Sequence, residues 1–215
     1  MIIENNRILF QGDSITDMRR SRGDNISHNL GHGYVYIIAS YLALHHYDKQ
    51  LSFFNRGIAQ NKIEDIAQRW QKDTLNLKPH VLSILAGINN IGSIVSDNRT
   101  TSLTDFKNTY KELLGDFKKK LPSSQIIICE PFALPVDKRM KNWTKRKETL
   151  NETHYILKDI ANQFDAQYIQ LQSIFEEASK IQPYHYWLYD GVHPSPAGHA
   201  IIAQTWLKEV MNIEF

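Results

Sequence analysis

Short apolar runs and longer amphipathic stretches take turns along this chain. Segments 7–11 (RILFQ), 51–55 (LSFFN), 80–87 (HVLSILAG), 125–130 (QIIICE) and 166–170 (AQYIQ) are brief and rich in β-branched or aromatic residues, and each is predicted as a strand. Helical spacing of apolar positions falls between them, at about 33–46, 62–76, 103–120, 145–164 and 171–180, and once more at 196–211. The last helix has a defined start: Ser195 is placed as N-cap and Pro196 at the first helical position, where its missing N–H costs nothing.

Strand and helix in alternation imply a parallel sheet covered on both faces, an α/β fold. Functional groups in such sheets collect beyond the carboxyl ends of the strands. The irregular stretches 17–32, 88–101, 131–144 and 181–195 are therefore the expected site-building loops.

Composition narrows the picture further. With 215 residues and 42% hydrophobic content, one domain spanning 1–215 with a sizeable core is expected. The 25 basic and 23 acidic residues leave a formal net charge of +2, too balanced to suggest a nucleic-acid partner. The single cysteine, Cys129, allows no intrachain disulfide and sits in an apolar run, where it is expected to pack as a small hydrophobe. The N-terminus lacks the basic start and apolar core of a signal peptide, and no run reaches membrane-spanning length, so a cytoplasmic protein with no membrane partner is expected.

Three predicted strands end in small or amide-bearing residues: FQGDS (Gly12 to Ser14), FNRG (Asn55 to Gly57) and LAGINN (Gly87 to Asn90). Near the C-terminus, YDGVHPSPAGH sets Asp190 and His193 three residues apart just before the final helix. Together these supply the parts of an acyl-transfer centre: a Ser nucleophile, a His to take its proton, an Asp to hold that His, and amide donors for an oxyanion. Ser14 is the candidate nucleophile, with His193 and Asp190 as base and acid. The N–H groups of Ser14 and Gly57 and the side-chain amide of Asn89 are the candidate oxyanion donors. No metal and no cofactor are expected.

In these blocks the chain resembles the SGNH hydrolases, also called GDSL esterases and lipases: Ser14 in GDSITD, Gly57 in NRG, Asn89 in GINN and His193 in DGVH occur in the family's order. The resemblance implies a flavodoxin-like three-layer α/β/α domain around a mainly five-stranded parallel sheet, with Ser14, Asp190 and His193 as triad. The Gly-x-Ser-x-Gly elbow of α/β-hydrolases is absent, since Thr16 stands at its second Gly. One departure is visible: the family's third block usually continues with Asp where this chain has Asn90, so a negative charge is expected to be missing there.

Within the family, LGHGYVYIIASYL (30–42), GINN and DGVHPSPAGHAIIAQTWL (190–207) are most similar to small bacterial acetylxylan-type carbohydrate esterases. This resemblance implies an acetylated saccharide as the small-molecule substrate, an acyl-serine intermediate and a homo-oligomer. A lysophospholipase or thioesterase is the alternative enzyme, and a catalytically idle binding module the alternative outside enzymes. Tyr189 and Trp187 in YHYWLYD, together with Asp13, are candidate substrate contacts. Asp13 also reads as a loop organiser, Asp17 has no assigned role, and the basic run 137–147 reads as a solvated loop and first helical turn.

Overall fold

The structure, a computed structural model, describes residues 6–23, 28–96, 101–136 and 141–213. Five strands, β1 (Arg7–Gly12), β2 (Ser52–Asn55), β3 (Val81–Leu85), β4 (Gln125–Cys129) and β5 (Gln167–Ile169), form one sheet in the order β2-β1-β3-β4-β5. Every pairing is parallel. This is the flavodoxin-like order, with its reversal at β1 and β3. The helices are α1 (Ser14–Asp17), α2 (Tyr34–His45), α3 (Ile63–Gln68), α4 (Trp70–Asp73), α5 (Ile88–Val95), α6 (Leu103–Lys120), α7 (Trp143–Gln163), α8 (Gln172–Ala178), α9 (Tyr184–Trp187) and α10 (Pro196–Met211).

Alternation along the strands builds two cores, because successive side chains leave opposite faces. Ile8, Phe10, Val81, Leu85, Ile127 and Cys129 face one layer, where α2, α5, α8 and α10 contribute Ile38, Ile91, Phe175 and Trp206 among others. Leu9, Leu82, Ile84, Ile126 and Ile128 face the other, against Ile66 of α3, Trp70 of α4, Phe106 and Phe117 of α6 and Ile160 of α7. Cys129 is buried as a free thiol, and burial pushes it up to about 12. Ser195 caps α10 by accepting the Gly198 N–H at 3.1 Å, with Pro196 opening the helix.

Three boundaries differ from the sequence expectation. The stretch 62–76 is broken into α3, α4 and a 3-10 turn at Leu75–Leu77. Arg69 leaves helical geometry between the first two, and its guanidinium turns inward to Asn61 Oδ1, Gln11 Oε1 and the Arg56 carbonyl. Residues 88–95, expected as a loop, form α5, because Ile88, Ile91 and Val95 recur at helical spacing and bury together. The loop 181–195 contains the short helix α9. Residues 24–27, 97–100 and 137–140, parts of three expected loops and of the basic run, lie outside the described residues.

Inside the first core, the buried indole N–H of Trp206 donates to Ser83 Oγ at 3.1 Å. Ser83→Ala strands that donor in an apolar layer and is expected to destabilise the protein by about 1–3 kcal/mol in urea unfolding, with the turnover number unchanged.

Candidate active site

The site lies beyond the carboxyl ends of β1, β2 and β3, where the sheet order reverses. Immediately after β1 the chain turns into the single-turn helix α1. Asp13 is its N-cap, with Oδ1 accepting the Ile15 N–H at 3.0 Å, and Ser14 is its first residue. A first-turn N–H has no acceptor within its own helix, so that of Ser14 is available for other use.

From the opposite end of the sequence, the loop between α9 and α10 brings His193 to Ser14, with Nε2 and Oγ 3.0 Å apart. On the far side of the ring, Nδ1 lies 2.8 Å from Asp190 Oδ2. The other oxygen, Asp190 Oδ1, accepts the N–H groups of His193 at 2.9 Å and Val192 at 3.1 Å. Burial acts to raise the Asp190 carboxyl, but these donors and the imidazole outweigh it and hold the group below the usual carboxylate range. An ionised Asp190 fixes the proton on Nδ1 and leaves the Nε2 lone pair facing the serine.

The turn bearing Ser14 is clamped from below. Asn55, at the end of β2 and 1% exposed, donates through Nδ2 to the carbonyls of Thr16 (2.6 Å) and Leu30 (2.8 Å). Its Oδ1 accepts the Gly57 N–H at 2.9 Å. Gly57 packs so closely on α1 that a methyl there would run into the Asp17 backbone nitrogen. Asp17, unassigned from sequence, completes the clamp: Oδ2 accepts the Ala59 N–H at 2.9 Å and pairs with Arg22, and Oδ1 accepts the Arg20 N–H at 3.2 Å.

The expected oxyanion donors are therefore not equally placed. Asn89, at the start of α5, donates to the Asn61 carbonyl at 3.1 Å and is only half-buried, which leaves its second amide hydrogen free. The Gly57 N–H is already engaged by Asn55. Sequence reasoning missed Asn55 because its role depends on three partners brought together by the fold.

Two of the three expected substrate contacts have structural partners of their own. Asp13 is 1% exposed and serves α1. Trp187 donates its indole N–H to the carbonyls of Ala178 (3.0 Å) and Gln182 (3.2 Å), anchoring α9 to the end of α8. Tyr189 is 59% exposed beside Asp190. The expected loss of charge at Asn90 is corrected. Asn90 Nδ2 donates to both carboxylate oxygens of Glu64, at 2.9 and 3.2 Å, while Oδ1 accepts the Ile63 N–H at 3.1 Å. The negative charge is carried by α3 rather than by the block itself.

No group of three or more His, Cys, Asp or Glu side chains among the described residues could hold a metal ion. His28 and His32, four residues apart, bring their rings to 5.7 Å.

A serine hydroxyl, an imidazole and a carboxylate in hydrogen-bonded series at the carboxyl edge of a parallel sheet form the arrangement of an acyl-transfer hydrolase. The GDSL-like lipase/acylhydrolase family model matches residues 10–201, and the chain belongs to that family. It is 29% identical over 210 residues to an acetylxylan esterase of Geobacillus stearothermophilus, an alignment covering 95% of this chain and 93% of that protein. A solved structure from Parabacteroides merdae, described as a GDSL-like lipase, superposes with a TM-score of 0.93 at 34% identity, covering 98% of both chains. A catalytic variant of Axe2, an acetylxylan esterase from G. stearothermophilus, superposes with a TM-score of 0.88 at 28% identity, covering 99% of this chain and 97% of that one. The chain is a carboxylic ester hydrolase.

Two tests follow from the buried polar groups. Burial pushes the Asp13 carboxyl up to about 7, against the opposing effects of the Ile15 N–H and His193. The folded state then keeps a proton that the unfolded chain releases above about pH 4, so this group lowers stability as pH rises from about 4 to about 7. Asp13→Asn keeps the cap oxygen and removes the ionisation. Its melting temperature is expected to match wild type near pH 4 and to exceed it at pH 8, with a gain of roughly 2–4 kcal/mol. At the second position, Asn90→Asp sets two carboxylates in contact and is expected to destabilise by about 1–3 kcal/mol, and adding Glu64→Gln restores most of the loss in urea unfolding.

Proposed function

We propose that the chain is a serine esterase that removes short acyl groups, chiefly acetyl, from saccharides through an acyl-serine intermediate. The observation that carries this reading is the relay itself: Ser14 Oγ at 3.0 Å from His193 Nε2, and His193 Nδ1 at 2.8 Å from Asp190. In the first half-reaction His193 takes the Ser14 proton as Oγ attacks the ester carbonyl, and Asp190 stabilises the imidazolium. The tetrahedral oxyanion is held by the Ser14 N–H and the free amide hydrogen of Asn89, with the Gly57 N–H contributing only as a bond shared with Asn55. His193 then protonates the leaving alkoxide, which departs as the alcohol. In the second half a water gives its proton to His193 and attacks the acyl-serine, and Ser14 leaves with that proton while the acid is released.

The acetyl and saccharide parts of the reading are supported by the likeness to an acetylxylan esterase along nearly the whole chain. Solved structures of Axe2 carry catalytic substitutions at a serine and at an aspartate and histidine three positions apart. The exposed rings of Tyr184, Tyr186 and Tyr189 lie just before Asp190 and suit sugar faces. A cytoplasmic location is supported by the lone buried thiol of Cys129, and among the described residues no helix is long and apolar enough to cross a membrane. Tyr36 and Tyr47, exposed on and after α2, favour self-assembly.

The test is a series of acetyl, butyryl and octanoyl esters of one chromogenic alcohol. A steep fall in kcat/KM beyond acetyl is expected, whereas a rise with chain length overturns the saccharide reading in favour of a lipid or thioester. Ser14→Ala is expected to remove turnover, and Asn89→Ala to lower kcat by about 10²–10³ with little change in KM.

A further inference from the structure

Beside the site, along the carboxyl ends of β4 and β5, two adjoining pockets of about 450 and 370 Å³ run between α7 and α8. They share Lys147, Gln172 and Glu176 and so form one groove. Its floor holds Glu130, 3% exposed, whose oxygens accept the Gln172 N–H at 2.8 Å and the Tyr168 hydroxyl at 2.7 Å. A carboxylate offers about four acceptor directions, so half of its capacity remains.

His154 faces the same space. Its Nε2 lies 2.6 Å from the Pro131 carbonyl, and a carbonyl only accepts, so Nε2 carries the hydrogen. The Nε2–H tautomer presents a lone pair at Nδ1, 4.0 Å from Glu130 Oε2, too far for a direct hydrogen bond. Two acceptors thus flank a gap in which one sugar hydroxyl can donate to Glu130 and a neighbouring hydroxyl to His154 Nδ1.

The surroundings decide among possible donors. Lys147 and Lys158 on the rim disfavour a cation, and Glu130 and Glu176 disfavour an anion. At the rim stands the ring of Tyr155, 79% exposed, and the groove continues past Trp143 and Tyr184. Hydroxyl-seeking acceptors below exposed aromatic faces match a neutral sugar. The groove ends at Leu134, whose N–H donates at 2.9 Å to the carbonyl of Gly191, the neighbour of Asp190.

The geometry points to a second saccharide-binding site in this groove, in which Glu130 and His154 accept sugar hydroxyls and Tyr155 covers a ring face, holding a neutral oligosaccharide away from the bond being cleaved. The choice of sugar rests on the proposed saccharide substrate.

The probe is unacetylated xylotetraose, titrated calorimetrically into Ser14→Ala protein. Saturable binding is expected, weakened roughly fivefold or more by Tyr155→Ala and by Glu130→Gln, as for loss of one aromatic or charge-assisted contact. Tyr155 is a surface side chain, so its variant gives the result even where Glu130→Gln impairs folding. In the active enzyme both variants are expected to keep kcat/KM on 4-nitrophenyl acetate and to raise KM on acetylated xylotetraose. Absent binding, or equal binding by Tyr155→Ala and its parent, overturns the groove. Deacetylation of the oligosaccharide untouched by either variant overturns the groove and leaves the proposed function standing. Binding that the variants weaken, without any deacetylation, supports the groove and removes the proposed substrate.

Discussion

One buried amide holds the architecture of this site. Asn55 joins the backbone after β1, the segment at Leu30 and the Gly57 turn through three hydrogen bonds, two of them fully buried. A serine is useful to an esterase only when its oxygen is held within a few tenths of an ångström of its base, and α1 is too short to hold itself. The missing rigidity comes from below, through Asn55 and Asp17, and from close backbone contact at Gly57. Ser14, the proposed nucleophile, is thus positioned by the end of a neighbouring strand.

Two buried titratable groups lie near the His193 imidazole with opposite effects. Asp13 resists losing a proton, whereas burial and then the charge of His193 push His199 down to about 4. The neutral His199 ring stacks on Tyr34 and accepts its N–H at 3.2 Å. Its contribution to stability is complete above about pH 6.5 and fades as pH falls toward 4, while that of Asp13 falls as pH rises over nearly the same interval. The slopes oppose, so the fold flattens its own pH response around the base.

The sheet was legible because burial on both faces writes unbroken apolar runs, as in Ile126 to Ile128. The relay was legible because Ser14, Asp190 and His193 sit in short segments whose residue types alone suggest the chemistry. Helix α5 was not: Asn, Gly and Ser between its buried positions imitate a loop and mask the helical spacing of Ile88, Ile91 and Val95. The roles of Asn55 and Asp17 and the Glu64 charge beside Asn90 were hidden for a different reason. Each depends on a partner many residues away, and no local spacing encodes it.

The hydrogen bond from Ser14 to His193 joins positions 179 residues apart. During synthesis the proposed nucleophile is made with the first strand and its proposed base only after every strand of the sheet. On the proposed mechanism, a chain broken off before residue 193 carries a serine with no base to activate it. The proposed relay forms only once the segment that follows α9 has joined the finished sheet.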